Sequence, residues 1–474
     1  MTDTLWISFA VAAVALLVVL MWRGLEAINR APAIGGFALY LWLGALVFAP
    51  DNPEWFQRMV GGINVTVPDV LCAILATVAV LRFGRGFPRL ERSLAWPLAI
   101  VGGTLLISYG RGLAGFGLQH ATNEFREFFY FLTALAYAIS FPFDRLGRRL
   151  PLLGVLGGVL LMVIAVLRLS AHGIDIDHRP LPSYGALAIG EAFFLGWFWL
   201  RTARQPGLWQ WLVISFLPFA FFMLHRSVWM CLLAGLAGLM LADPPGRKKL
   251  LTILVLGGML ATLVVGIFFR DKIVNGLDGA VKETTTEDST FMWRVQGWVA
   301  LLTPDSGVGG FDLLLGRPMG SGYARKLGDS VLDTGEIEAG VIPHNYYVSM
   351  LLRGGVIGLA AFLLLYYRLF AALLRGKRDD PLEPAWPCFL IILGVQLVYY
   401  IPYSADFIQG LLLGGAVALA CRPREEVEED EDDTVEEETE IAEKTSVLGT
   451  TRSTLLGTTR STALHSSSTG STPT

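Results

Sequence analysis

The chain of 474 residues contains little charge for its length. Charged residues make up 16% of it, whereas soluble domains contain about 25%. Hydrophobic residues make up 53%, and the mean hydropathy is +0.54. A soluble protein of this composition would expose large apolar patches to water. The apolar residues also form long runs, which excludes a soluble enzyme, a nucleic-acid binder and an outer-membrane barrel.

Cysteine and the motifs of soluble enzymes are scarce as well. The four cysteines are Cys72, Cys231, Cys388 and Cys421, all in or at the end of apolar runs. This placement predicts neither a structural disulfide nor a zinc site. The sequence contains no glycine-rich phosphate loop, nucleophile elbow or dinucleotide-binding motif. We therefore expect no metal, no cofactor and no nucleic-acid partner.

The apolar runs predict an all-α fold, a polytopic membrane bundle of 12–13 transmembrane helices, because about 20 apolar residues cross the hydrocarbon core. The predicted spans are residues 5–21, 32–49, 67–83, 94–109, 125–141, 151–169, 183–200, 208–223, 227–242, 250–269, 345–373, 384–401 and 403–421. A re-entrant pair at 384–421 is the alternative to a division at Pro402. The chain divides into N-terminal helices (1–66), a bundle (67–269), an extracytoplasmic loop (270–343), C-terminal helices (344–424) and a tail (425–474).

The charge pattern predicts an orientation. Short connections at 82–92, 145–149, 247–249 and 375–378 are basic, and short basic loops face the cytoplasm. The long loop then lies outside, and the tail lies inside. The tail holds 13 of the 41 acidic residues and 3 of the 37 basic ones, then repeats LGTTRSTL as LGTTRSTA. Such a composition predicts a disordered cytoplasmic segment.

One segment at the predicted outer end combines residues that could carry chemistry. Pro343, His344, Asn345, Tyr346 and Tyr347 lead directly into a long apolar run. A helix N-terminus disfavours an imidazolium ion, so a neutral histidine there can accept a proton. The alternative is that His344 and Asn345 only cap the helix, among tyrosines at the membrane interface.

Arg226 lies between two apolar runs with almost no loop and begins a predicted helix on the outer side. An arginine in that position needs an anionic partner. The partner is either an acid such as Glu124 or Glu191, or a phosphate ligand held by the guanidinium group and the helix N–H groups.

Two further arginines lie at the predicted outer side. Arg294 lies on a predicted amphipathic helix at 289–304, before glycines at 309–310, 316, 320 and 322 that permit tight backbone near a ligand. A snorkelling interfacial arginine is the alternative for Arg294. Arg126 begins the span at 125–141, where its neighbours Glu124 and Glu127 could pair with it.

These residues resemble a family. His344, Asn345, Val348 and the glycines that precede Leu359, placed after one long outer loop, are similar to the signature of bacterial O-antigen ligases and the related O-antigen polymerases. Arg294 in WRVQGW and Arg226 in LHRSVW are similar to arginines of that family. The resemblance covers residues 67–421.

The resemblance implies a metal-independent, inverting glycosyltransferase in the bacterial cytoplasmic membrane, with its active site facing the periplasm. It would transfer a glycan from undecaprenyl diphosphate to an acceptor hydroxyl, such as that of lipid A-core. Under it His344, Arg226 and Arg294 are catalytic, and His344 either accepts the proton of the hydroxyl or orients it. Substrate-binding candidates are Arg126, Asn345, Tyr346 and Tyr347.

Other functions share parts of this pattern. A polysaccharide polymerase and a protein O-oligosaccharyltransferase have the same predicted architecture. A transporter of lipid-linked sugars belongs to another class, and transporters tend to contain internal repeats and charges at the bilayer midplane. Here most charges lie at span ends and no convincing repeat is found within the spans, which favours an enzyme.

Overall fold

The structure, a computed structural model, describes a mostly helical part of the chain. Described are residues 57–60, 63–84, 90–143, 150–172, 180–202, 207–223, 225–242, 290–302, 310–322, 343–376 and 384–422, with short pieces between 246 and 259. The predicted spans 5–21 and 32–49, most of 250–269, the loop residues 270–289 and 323–342, and the tail 425–474 lie outside the described residues.

The chain forms a short hairpin and then helices. Strands β1 (Gln57–Val60) and β2 (Ile63–Thr66) pair antiparallel, with Val60 opposite Ile63. The helices are α1 (Val67–Gly84), α2 (Arg92–Ile139), α3 (Leu150–His172), α4 (Ser183–Thr202), α5 (Gly207–Phe222), α6 (Arg226–Ala242), α7 (Thr290–Leu302), α8 (Gly310–Leu315), α9 (Tyr346–Leu374), α10 (Ala385–Tyr399) and α11 (Phe407–Ala420). The hairpin departs from the all-α prediction, because β-branched residues favour extended backbone there.

Several helices have the properties of membrane helices. By length and composition α1, α2, α3 and α9 could each cross a membrane. Large apolar side chains cover the outside of the bundle, among them Val80, Leu241 and Tyr367, which are 68%, 77% and 71% exposed. Because such a surface is unfavourable in water, these helices indicate a membrane protein. Helix α7 occupies the predicted amphipathic segment, and the chain is divided near Pro402 as predicted.

Helix α2 reverses direction within its 48 residues. Gly117 has φ 81° and ψ 170°, a conformation that is essentially restricted to glycine. Tyr109 stacks on Phe125 with ring centroids 4.5 Å apart, and its hydroxyl lies 3.1 Å from that of Thr122. The helix therefore consists of two arms that fold back on each other, and they correspond to the predicted spans 94–109 and 125–141.

Helix α9 is interrupted at Gly355, which has φ 68° and ψ −176°. A Cβ atom at this position would collide with the carbonyl oxygen of Leu314, at the end of α8. One turn earlier, the carbonyl oxygen of Leu352 accepts a hydrogen bond of 2.6 Å from the backbone of Arg317. The interruption thus creates the surface on which α8 and the residues after it lie.

We expect Gly355→Ala to destabilise the fold by about 1–3 kcal/mol, because the backbone conformation and the contact with Leu314 both exclude a side chain. Thermal unfolding of the purified protein measures this change. Gly394→Ala is the matched control, since a Cβ atom at Gly394 in α10 meets nothing within 4 Å. Equal unfolding temperatures for the two variants would contradict the prediction.

Part of the core is an aromatic cluster around Tyr346, the first residue of α9. Its side chain is fully buried. Its ring contacts four aromatic rings at centroid distances of 4.9–6.0 Å, those of Phe128, Phe131, Phe362 and Tyr400. Aromatic pairs at such distances stabilise beyond their buried area. They fix the start of α9 against α2 and α10.

Helix α6 packs antiparallel to α10. A Cβ atom at Gly235 would lie 2.6 Å from the side chain of Val395. A Cβ atom at Gly238 would lie 3.5 Å from Ile391, one turn further on. The start of α6 therefore lies beside the end of α10 and the residues that follow it.

Helix α11 packs parallel to the second arm of α2. Cβ atoms at Gly410 and Gly414 would collide with the backbone at Phe131 and Leu135, respectively. The two helices therefore run side by side in the same direction and almost in contact. The starts of α6, α9 and α11 share one end of the bundle, which we call the His344 end.

Candidate functional site

His344 and Asn345 form the entry to α9. The Asn345 side chain accepts a hydrogen bond of 3.0 Å from the backbone of Val348 and caps the helix. His344 is half-buried, and with φ 50° it is the one non-glycine residue of the described part with positive φ. Such a conformation is uncommon outside glycine and is found at functional sites. The imidazole is thus held at the helix N-terminus, as predicted.

The residues that follow α10 contact the start of α9, directly after His344. We call residues 400–406 the rim segment. The backbone N–H of Tyr346 donates hydrogen bonds to the carbonyl oxygens of Tyr400 and Tyr403, at 2.9 and 3.1 Å. Tyr347 donates to the carbonyl oxygen of Leu397. The start of α9 is therefore fixed against the rim segment through backbone and side-chain hydrogen bonds.

Helix α7 places Arg294 against the rim segment. Arg294 donates a hydrogen bond of 3.2 Å to the carbonyl oxygen of Pro402, and its guanidinium group lies 5.3 Å from the ring centroid of Tyr403. Four residues later, Trp298 donates a hydrogen bond of 2.7 Å to the carbonyl oxygen of Pro343. Residues four apart share a helix face. One face of α7 therefore contacts both the rim segment and the residue before His344.

Arg226 begins α6 and is partly exposed. Because the start of α6 lies beside the end of α10, this guanidinium group belongs to the His344 end. Its neighbour His225 is buried and hydrogen-bonds to the carbonyl oxygen of Leu181 at 2.8 Å. The acids considered as partners of Arg226 have other contacts: Glu124 pairs with Arg353, and Glu191 accepts from Gln396.

Arg126 forms an ion pair of 3.0 Å with Asp69 of α1, with both side chains about one-fifth exposed. Tyr130 also donates to Asp69, at 2.8 Å. The sequence offered the neighbours Glu124 and Glu127 as alternative partners to a substrate. The observed partner is on another helix because residues one or two positions apart on a helix point to different faces.

The two tyrosines predicted to bind substrate have packing roles in the structure. Tyr346 is completely buried among aromatic rings, and its hydroxyl group has no hydrogen-bond partner. Tyr347 is partly exposed, with its hydroxyl group bonded to the backbone of α10. Of the two, Tyr347 is the side chain that a ligand at the rim segment could reach.

Sequence reasoning did not single out Arg353, a fully buried arginine of α9. It forms an ion pair of 2.6 Å with Glu124 and donates to the carbonyl oxygens of Pro318 and Gly322 and the hydroxyl group of Ser321. The sequence did contain a signal, because Arg353 is a lone arginine within an apolar run. An arginine in a membrane helix is energetically costly and therefore needs a partner.

The backbone at Gly316, Gly320 and Gly322 packs closely, as predicted, but against the protein itself. Gly320 and Gly322 each donate a backbone hydrogen bond of 2.8 Å to Glu124. A Cβ atom at Gly316 would collide with the backbone of Arg353. In the described part of the loop, these glycines let the chain pack against α2 and α9.

A second group missed from the sequence consists of polar side chains where α2 and α11 meet the rim segment; one of them is fully buried and the others are partly buried. We call Glu127, Ser404, Asp406 and Gln409 the carboxyl pocket. Glu127 lies close to Ser404 and Asp406. Asp406 caps α11 by accepting from the backbone of Ile408, and Gln409 accepts from the backbone of Asp406 at 2.8 Å.

The His344 end thus offers two kinds of chemistry. Arg226, Arg294 and the starts of α6 and α9 provide positive potential, which suits an anion. The carboxyl pocket provides hydrogen-bond acceptors and a buried amide. Among the described residues no group of three His, Cys, Asp or Glu side chains is arranged to hold a metal ion. Comparison with protein-family models and with curated proteins finds no match to this chain.

Proposed function

We propose that the protein is a membrane glycosyltransferase of the O-antigen ligase type. It transfers a glycan from undecaprenyl diphosphate to an acceptor hydroxyl, such as that of lipid A-core, by an inverting and metal-independent reaction. The protein is a multi-pass bundle in the bacterial cytoplasmic membrane. The His344 end faces outward, because the basic connection at 82–92 lies at the opposite end, where α1 ends and α2 begins.

The observation that carries this proposal is the bridge made by α7. Trp298 bonds to Pro343, next to His344, and Arg294 bonds to Pro402. Leu301 and Trp298 also pack on Val348 and Leu352 of α9. A histidine that can take a proton and an arginine that can bind a phosphate are thus held by one helix at one end of the bundle.

The proposed reaction places different demands on these groups. The acceptor oxygen attacks the anomeric carbon, the bond to the diphosphate oxygen breaks, and its electron pair remains on the diphosphate. Fixed cations and helix N-termini stabilise this developing charge. Arg226 and Arg294 serve this role, and His344 takes the proton of the acceptor hydroxyl. A two-substrate transfer gains further rate from positioning alone.

Reconstitution of the purified protein in liposomes tests this function. The donor is an O-antigen repeat on undecaprenyl diphosphate, offered with lipid A-core, with a second lipid-linked chain, or with a protein acceptor. We expect a new glycosidic bond to lipid A-core. Extension of the lipid-linked chain indicates a polymerase, and a glycosylated protein indicates an oligosaccharyltransferase. Movement of donor across the bilayer without bond formation indicates a transporter and contradicts the proposal.

Arg294→Lys is expected to lower the transfer rate by about tenfold or more, equivalent to about 1.4 kcal/mol of barrier. The lysine keeps the charge, but a point charge does not replace the planar fork that binds two phosphate oxygens. The reconstituted assay measures the change. Arg247→Lys is the matched control, because Arg247 is exposed beyond the far end of α6. An unchanged rate in Arg294→Lys would remove Arg294 from the site.

A further inference from the structure

The carboxyl pocket exists because α2 and α11 pack almost in contact. The closest approach is at Gly410, whose missing side chain makes room for the backbone of Phe131. One helical turn before each of these residues lie Asp406 and Glu127, respectively. Since the two helices are parallel, their carboxyl groups are brought to the same level. The close helix packing thus juxtaposes two acids that the sequence separates widely.

Three polar atoms of this pocket have no hydrogen-bond partner within the described protein. They are Oε1 of Glu127, Oδ2 of Asp406 and Nε2 of Gln409, all removed from solvent, whereas Ser404 lies within hydrogen-bonding reach of Glu127. Gln409 is itself fully buried, and its other amide atom is bonded at Asp406, so its free N–H groups lie beside Asp406. Burying a polar group without a partner is costly. Three such atoms in one place require hydrogen-bonding groups from outside the protein, either water or a ligand.

The types of these atoms select the ligand. A phosphate would be repelled by the two carboxyl groups. A bare cation would find oxygen ligands but could not use the N–H groups of Gln409. A hydroxyl group both donates and accepts hydrogen bonds, so it can satisfy every atom of the set. A serine side chain offers one hydroxyl group, whereas a sugar offers several on neighbouring carbons.

We propose that the carboxyl pocket is a sugar-binding subsite in which vicinal hydroxyl groups donate to Glu127 and Asp406 and accept from Gln409. This assignment rests on the proposed function in one respect, namely that the bound sugar is the acceptor. The division of the site follows from charge: the diphosphate of the donor lies at the arginines, and the acceptor sugar lies at the carboxyl groups. The rim segment connects the two, because Pro402 contacts Arg294 and Ser404 faces Glu127.

Two conservative variants test the subsite without removing the helix cap. Asp406→Asn keeps a residue that caps helices as well as aspartate does, and Glu127→Gln keeps the size of the side chain. In the reconstituted transfer assay we expect each variant to raise the KM for the acceptor by about ten- to a hundredfold, since each replaces a carboxyl oxygen with an NH2 group that cannot accept a hydrogen bond from the sugar. The KM for the lipid-linked donor should stay unchanged. Glu91→Gln is the control, as Glu91 is exposed and bonds near the opposite end of α11.

Direct binding separates this proposal from the transfer reaction. The protein in lipid nanodiscs is mixed with glucose, galactose, N-acetylglucosamine or a heptose, and saturation-transfer NMR detects the bound sugar. We expect a signal from at least one sugar that the Glu127→Gln/Asp406→Asn double variant loses and the Glu91→Gln variant keeps. Absence of any signal from the wild type, or an equal signal from the double variant, overturns the subsite.

The combined outcomes distinguish the two proposals. Sugar binding that depends on the carboxyl groups, in a protein that forms no glycosidic bond, supports the subsite and contradicts the transferase. A transfer reaction in which the variants change the KM for the donor, or change neither KM, contradicts the subsite and leaves the transferase standing.

Discussion

Replacing His344 with alanine or asparagine is expected to lower glycan transfer by about 10²–10⁴-fold, the usual contribution of a general base. In the proposed reaction the imidazole, placed at the N-terminus of α9, takes the proton of the acceptor hydroxyl as the new bond forms. The reconstituted assay with lipid A-core measures the loss at saturating concentrations of both substrates.

The asparagine variant separates a base from an orienting residue. Asparagine accepts and donates hydrogen bonds and tolerates the positive φ of 50° at this position, but it cannot take a proton. If His344 acts as a base, both variants lose activity equally. An asparagine variant that retains most of the activity would assign His344 to orientation of the hydroxyl.

Stability provides the control for this comparison. We expect His344→Ala to unfold at a somewhat lower temperature, because histidine and asparagine adopt positive φ more readily than alanine does, whereas His344→Asn should unfold like the wild type. The same substitution at an exposed histidine, His120→Asn, should leave transfer unchanged. A loss of transfer in His344→Asn without loss of stability is then a chemical effect.

The helices could be predicted from the sequence because their signal is local. A run of apolar residues specifies a buried or lipid-facing helix wherever its neighbours lie. The predicted break at Pro402 and the predicted helix at 289–304 were recognised in the same way and are present. The reversal at Gly117 was anticipated as two spans, although no residue pattern indicated how tightly the two arms fold back.

The arrangement of the site depended on contacts between distant residues and was only partly predictable. His344 and Arg294 were found from their positions at helix starts and on an amphipathic face. The partner of Arg126 was missed because Asp69 lies 57 residues away on another helix. Glu127 was taken as a neighbour of Arg126, yet its own environment is set by α11, which the sequence places almost 280 residues later.

Losing the buried charge of Arg353 is expected to have the largest effect on stability. Arg353→Met removes the ion pair with Glu124 and the hydrogen bonds to the backbone of Pro318 and Gly322. Breaking a buried pair by removing one partner costs about 3–5 kcal/mol, since the remaining charge is left uncompensated. We expect a corresponding fall in the unfolding temperature.

In Arg353→Met we expect the segment that Arg353 contacts to open locally under conditions in which the rest of the fold is intact. Arg353 joins α9 to the residues after α8, and Glu124 joins the same residues to α2. Without the arginine side chain, residues 318–322 lose their hydrogen bonds to α9, and hydrogen exchange of their backbone amides should increase. Exchange in α11, which contacts neither Arg353 nor Glu124 in the described hydrogen bonds, should change least.

Two further variants test whether the pairing itself is responsible. The double variant Glu124→Gln/Arg353→Met removes both charges, so it should be more stable than Arg353→Met alone, and the difference measures the coupling between the two residues. Arg368→Met is the matched control on the same helix, because Arg368 is partly exposed and donates to the carbonyl oxygen of Ser93. If Arg353→Met destabilised no more than Arg368→Met, the buried pair would not be what holds residues 316–322 on α9, and their glycine contacts with α9 would have to hold them.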